Sequence, residues 1–380
     1  AARARSPHSE AVWARSLAYV FGGSAYAIAT VLAAYMAGLA LGSTVLGRWI
    51  DRKGHPLTVY GLLEAGIAVW ALILPLLLAG MDRVYASIYR EMNPGIEFLS
   101  FIRFVFSFLL LLVPTTLMGG TLPVLGKLLL SDWKGLGTRA GLLYGINTLG
   151  AVVGVVLGGF VLVPTLGLTG ATLVAVVINF AVAVVALLAA RRLPYVTPAP
   201  AAPQDDDAPQ APLRLRRAVL VVYGASGFAA LAYEVAWTKT LSMILGTTTY
   251  AFSTMLTTFL LGLALGSFVF GRIADRIRRP QALLTLVQAV IPLTAVLSIP
   301  LLEAMPQWFV DLFPAARSNW VKLEGVRFLL SAGAMFVPTF FMGGMFPLVT
   351  RVYMGRRSEG KSLGTLYAAN TVGAILGSFC

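Results

Sequence analysis

Apolar residues run along this chain in stretches of about twenty or more, separated by short polar connections, the length and spacing of membrane-crossing helices. The pattern predicts helices near residues 24–47, 56–80, 99–130, 137–163, 168–192, 217–245, 248–272, 280–303 and 323–353, with partial helices at 9–22 and 362–380. Pro114 and Pro338 each remove a backbone donor from within such a stretch, so those two helices are expected to bend. The fold class is therefore an all-α polytopic membrane protein.

The pattern is also written twice. A shift of 224 residues carries Gly38–Ser43, GLALGS, onto Gly262–Ser267, again GLALGS. It carries Glu10 onto Glu234, Trp13 onto Trp237, Tyr26 onto Tyr250, Asp51-Arg52 onto Asp275-Arg276 and Arg103 onto Arg327. Val113-Pro114-Thr115 falls on Val337-Pro338-Thr339, and Met118-Gly119-Gly120 on Met342-Gly343-Gly344. With a shift of 223, Tyr144, Asn147 and Gly150 fall on Tyr367, Asn370 and Gly373. A register kept over such a distance signals a duplicated helical bundle, a plan on which many transporters are built.

The duplication divides the chain into a first transmembrane half at 1–192, a linker at 193–216 rich in Pro, Ala and Asp, and a second half at 217–380. Each half matches only part of the other at its ends. The expectation is about ten or eleven helices of a twelve-helix bundle, trimmed from a longer protein.

Composition agrees: 58% of residues are hydrophobic, 12% are charged and the mean hydropathy is +0.82, far from a soluble domain. The net charge of +13 is unevenly placed. The connections at 48–53, 127–139, 191–217, 272–279 and 351–361 hold 19 of the 29 Lys and Arg residues, whereas those at 81–98 and 304–324 hold two each and that at 164–170 holds none, which assigns the basic set and the linker to the cytoplasmic side. This charge reads as topology and contact with membrane lipid, not as a nucleic-acid site. One cysteine, Cys380, and two separated histidines, His8 and His55, give no disulfide framework and no metal-ligand spacing. The run Asp205-Asp206-Asp207 reads as a solvated cluster, and no cofactor is implied.

Several polar residues stand out against this apolar text, because a charge at mid-bilayer costs about 2.5–3.5 kcal/mol on insertion scales. Glu64 lies inside a predicted helix and its repeat partner is Gln288. Glu10 and Glu234 occupy the repeated pattern E-x-x-W-x-[RK], with Trp13 and Trp237 beside them. These residues, with Tyr26, Tyr250, Asn147 and Asn370, are candidates for substrate binding or a proton relay. Carboxylates among aromatic faces suit an organic cation. The alternative is an ion-pair network that fixes the bundle, with Arg103 and Arg327 as partners.

GLALGS reads as a small-residue ridge for close helix packing. The Met-Gly-Gly pairs read as points where a helix breaks or is re-aimed, with a cavity-lining role or a simple bend as the outcome. Asp51-Arg52 and Asp275-Arg276 end their helices at basic connections. There an Asp can cap a neighbouring helix or pair with an Arg, a candidate conformational latch.

The stretch from Gly47 to Gly54, GRWIDRKG, resembles the G-x-x-x-D-R-x-G loop of the major facilitator superfamily. A narrower resemblance is carried by Tyr233–Lys239, Tyr250–Thr254, Gly262–Ser267, the Met-Gly-Gly pairs and the Leu-Tyr-x-x-Asn-Thr-x-Gly stretches at 143–150 and 366–373. These are similar to the membrane part of bacterial fused major-facilitator/spermidine-synthase proteins. The resemblance implies an inner-membrane location and a cytoplasmic synthase domain fused after the last helix. It also implies a transporter-like module that moves or senses polyamines or related organic cations. This chain itself shows no nucleotide-binding turn, so it is not expected to act as an enzyme, and no catalytic residue is carried over. The competing expectation is a non-transporting anchor or accessory subunit of an enzyme or larger membrane complex.

Overall fold

The computed structural model describes residues 25–52, 55–92, 96–130, 135–193, 212–354 and 360–379. Within them the chain forms eleven α-helices. In order they are α1 (Ala25–Arg52), α2 (Pro56–Met92), α3 (Ile96–Leu129), α4 (Leu136–Leu157), α5 (Val163–Arg192), α6 (Leu213–Leu245), α7 (Thr249–Arg276), α8 (Pro280–Leu297), α9 (Ile299–Ala316), α10 (Trp320–Met354) and α11 (Gly360–Gly377). A π turn, Gly158–Leu162, joins α4 to α5. By length and composition, seven helical stretches among the described residues can cross a membrane.

The shift of 224 maps α1 onto α7 end to end, and α3 onto α10. Packing follows the same rule. Within the halves α1 lies on α3 and α7 on α10; between them α4 lies on α7 and α11 on α1. The two halves are thus joined by a pair of seams that the duplication interchanges.

What holds α1 to α3 is the pairing of the two repeated motifs with each other. A methyl group built on Gly38 would lie 1.8 Å from Thr115 Oγ1, and one on Gly42 would lie 1.9 Å from the Thr116 carbonyl oxygen. In return, one on Gly119 would meet the Leu39 carbonyl oxygen at 2.3 Å. The second copy repeats the interlock: Gly262 on Thr339 Oγ1 at 2.0 Å, Gly266 on the Phe340 carbonyl at 1.8 Å, Gly343 on the Leu263 carbonyl at 2.1 Å. In lipid, where burial from water no longer drives association, this backbone proximity supplies the dispersion contact. Thr115 and Thr339 can sit in these notches because their hydroxyls donate to carbonyls of their own helices, Leu111 at 2.6 Å and Met335 at 2.8 Å.

Three expectations are corrected and one is kept. The Met-Gly-Gly pairs do not break their helices: α3 and α10 run through them, because those glycines are needed for approach and not for a turn. The segments 81–98 and 304–324, read as connections, are largely helical, since α2 continues to Met92 and α9 spans Ile299–Ala316. The helix expected at 280–303 is divided at Ser298, where Pro300 cannot donate back to the preceding turn. The break expected at 164–170 is present: Val163–Arg192 is two helical stretches that meet at a kink, where Gly167, with φ 69° and ψ 179°, leaves the helical backbone. The predicted partial helix at 9–22 and most of the linker lie outside the described residues.

Candidate functional site

A cavity of about 150 Å³ opens where the halves meet. Helical periodicity builds its walls. On α6, Tyr223, Gly227, Leu231 and Glu234 recur at three- and four-residue steps and so share one face. On α11, Tyr367, Asn370 and Ala374 do the same. Met36 and Leu39 of α1 and Tyr144 of α4 close the first-half side, while Phe259 of α7 and Met342, Met345 and Phe346 of α10 close the other. Tyr144 is held in place by stacking on Phe346, with ring centroids 4.9 Å apart.

Glu234 is the only charged side chain in the described wall of this cavity. It forms no ion pair with a described residue. Three tyrosine phenols and the Asn370 amide share the space with it, and three methionine thioethers complete a soft, polarisable lining. A carboxylate without a basic neighbour, faced by phenols and aromatic rings, is complementary to a positively charged group.

The other residues singled out in the sequence go elsewhere. Trp237 is buried beside Tyr233, on which it stacks with centroids 5.3 Å apart, and belongs to the main apolar core. Tyr250 stacks on Phe160 at the far end of α7, away from the cavity. Glu64 is half-buried on α2 and shares a side-chain hydrogen bond with Tyr60, one turn earlier. Gln288, its repeat partner, has a buried Oε1 with no hydrogen-bond partner among the described residues. Asn147 is exposed among the described residues, unlike its repeat partner Asn370. Glu10 and Trp13 lie outside the described residues; the side chains of Tyr26, Arg52 and Arg103 do too, although their backbones are helical. Arg327 pairs with Glu324 one turn earlier on α10, not with a repeated glutamate.

Sequence reasoning missed Tyr223 and Glu324 altogether, and treated Tyr144 and Tyr367 only as markers of the repeat. Those two tyrosines are each other's repeat partners, and both reach the cavity, so the duplicated L-Y-x-x-N-T-x-G pattern carried that signal.

At the basic end of the bundle, the Asp275 carboxylate crosses from α7 to α4. It accepts from the Gly137 N–H at 2.9 Å and the Thr138 N–H at 2.7 Å. These are orphan donors of the first turn of α4, whose N-cap, Gly135, provides no side-chain acceptor. The positive end of the helix dipole adds to the attraction. Arg351 of α10 holds the same carboxylate, its Nε 3.6 Å from Oδ1. Arg276 is exposed, so Arg351, and not the arginine adjacent in sequence, is the basic partner of Asp275. Asp51 lies half-buried at the equivalent end of α1.

No group of three or more His, Cys, Asp or Glu side chains among the described residues is placed to hold a metal ion. The sequence profile described as the Major Facilitator Superfamily matches residues 11–378. One solved structure that resembles the chain, "Crystal structure of a Major Facilitator Superfamily (MFS) transporter, FucP, in the outward conformation", has 12% sequence identity and a TM-score of 0.46. The likeness covers 96% of this chain and 92% of that one. No curated protein matches the chain.

Proposed function

This chain belongs to the Major Facilitator Superfamily, and from that premise we propose that it moves a small organic cation, a polyamine or a related amine, by alternating access of the central cavity. Membership gives a multi-spanning helical module with the transporter fold. The choice of a cation rests on one observation, the Glu234 carboxylate standing among tyrosines and Asn370 without a basic side chain in the described wall. Polyamines enter through the resemblance of the repeated motifs to the synthase-fused proteins.

Motion in this reading is a rocking of the halves along the two seams. Asp275, tied to α4 and to Arg351, acts as the latch that holds the basic end shut. Because its partners are main-chain N–H groups at the edge of the bilayer, water can replace it when the seam opens, so the latch is reversible. Glu64 and Gln288 stand apart from the cavity and are assigned no contact with the cargo.

Uptake of radiolabelled putrescine and spermidine into proteoliposomes tests the reading. The expected result is saturable uptake that Glu234→Gln reduces by at least tenfold and Glu64→Gln leaves largely intact. Absence of uptake for both amines, or uptake indifferent to Glu234→Gln, would sink the assignment.

A further inference from the structure

At the end of the α4–α7 seam remote from Asp275, three rings from the two halves meet. The chain leaves α4 through the π turn Gly158–Leu162, a winding wider than the α-helix on either side. Gly159 is seated on α7, where a methyl built on it would fall 2.1 Å from Ser253 Oγ. Phe160 is thereby laid on Tyr250, with centroids 5.7 Å apart and planes 21° from parallel, and stands edge-on to Trp320 at 5.8 Å. Tyr250 and Trp320 complete the triangle at 5.7 Å.

The second-half side of this triangle is braced. One turn deeper, Thr254 of α7 donates to Glu324 Oε2 of α10 at 3.2 Å, and Glu324 is paired with Arg327. Glu324 is buried, and the first copy has Ser100 in its place; Trp320 likewise replaces Ile96. The brace and the tryptophan are thus peculiar to the second copy. Tyr250 and Trp320 form a fixed surface, and Phe160 is carried against it by an irregular turn of the other half.

We propose that Phe160, Tyr250 and Trp320 are the gate on the side opposite Asp275, a ring contact that must part before the cavity opens to that side. The proposal rests on the reading that the halves rock about the cavity. Aromatic residues that merely mark a membrane interface present their rings to headgroups. Here Phe160 and Tyr250 turn their faces to one another across the junction of the halves, and Trp320, 51% exposed, stands edge-on to both. Each such ring pair biases a two-state equilibrium by roughly two- to tenfold, enough to favour closure and small enough to permit opening.

The test uses Ala374→Cys as a reporter in the cavity wall, in a Cys380→Ser background that removes the only native cysteine. A membrane-impermeant maleimide is applied to each face separately. Phe160→Ala is expected to raise labelling from the face opposite Asp275 by about fivefold, while Phe160→Tyr stays near the parent. Asp275→Asn is expected to raise labelling from its own face alone. Unchanged labelling in Phe160→Ala, in a protein that melts like the parent, overturns the gate. Should Phe160→Ala fail to fold, Tyr250→Leu removes the stacked contact with Phe160 and is judged by the same readout. If Asp275→Asn responds and the gate variant does not, the gate falls and the rocking reading stands. If neither responds on either face, the rocking reading falls with it.

Discussion

The α4–α7 and α11–α1 seams are interchanged by the duplication, yet they are not chemically alike. Both rest on a glycine pressed against the backbone of the other half. A methyl on Gly141 would lie 2.5 Å from the Ser267 carbonyl oxygen, and one on Gly364, its repeat partner, 2.3 Å from that of Ser43. The serines differ. Ser267 donates across the seam to the Gly141 carbonyl at 3.1 Å, whereas Ser43 turns back to the Ala40 carbonyl of its own helix at 3.0 Å. At the basic end of α4–α7 the Asp275 carboxylate adds a tie to α4, and Asp51, at the equivalent end of α1, is not without a partner either. The shape of the contact recurs in both copies, and the serine hydrogen bonds do not.

The glycines supply the first way to break this comparison. Gly141→Val and Gly364→Val are each expected to lower stability by about 3 kcal/mol, since the obstructing atoms are backbone and cannot rotate away. Thermal unfolding in detergent measures it, and a near-neutral result for either would refute the shared packing. Next in size, Asp275→Ala is expected to cost about 2 kcal/mol through loss of charge-assisted bonds to two N–H groups, with rehydration limiting the loss. Arg351→Ala should cost less than Asp275→Ala, because the Arg351 contact is long, at 3.6 Å, and Asp275 keeps its two N–H donors when it is lost. The smallest effect separates the seams most cleanly. Ser267→Ala should destabilise by about 1 kcal/mol, and Ser43→Ala by under about 0.5 kcal/mol, because only the former loses a bond between halves. Equal melting points for the two serine variants would remove the asymmetry.

The repeat made much of the architecture readable from residues alone: the correspondence of α1 with α7 and of α3 with α10, and the membrane-spanning class. It also marked GLALGS and Met-Gly-Gly, but not that they are two sides of one contact. A register within the chain says nothing about which helix faces which. The site was harder for the same reason. Glu234 and Asn370 reach the cavity, whereas Trp237 and Tyr250, equally prominent in the sequence, point into the core and to the far end of the seam. Which face of a helix meets a cavity depends on its neighbours, and a repeat preserves residue types without revealing that orientation. Tyr223 carried no motif at all; it enters the wall because it lies three turns before Glu234 on one helical face. The helix at 81–92 was not legible because the apolar run ends near residue 80, whereas a helix can continue beyond the bilayer with charged residues.

Gly135, with its left-handed φ of 77°, leaves the first turn of α4 without an acceptor of its own, so that turn borrows one from the opposite half. The amide hydrogens of Gly137 and Thr138 are therefore shielded by a residue of the other half. If the halves rock as proposed, their exchange with deuterated solvent is a clock for how often the basic end comes apart, and it can be read in the unmodified protein.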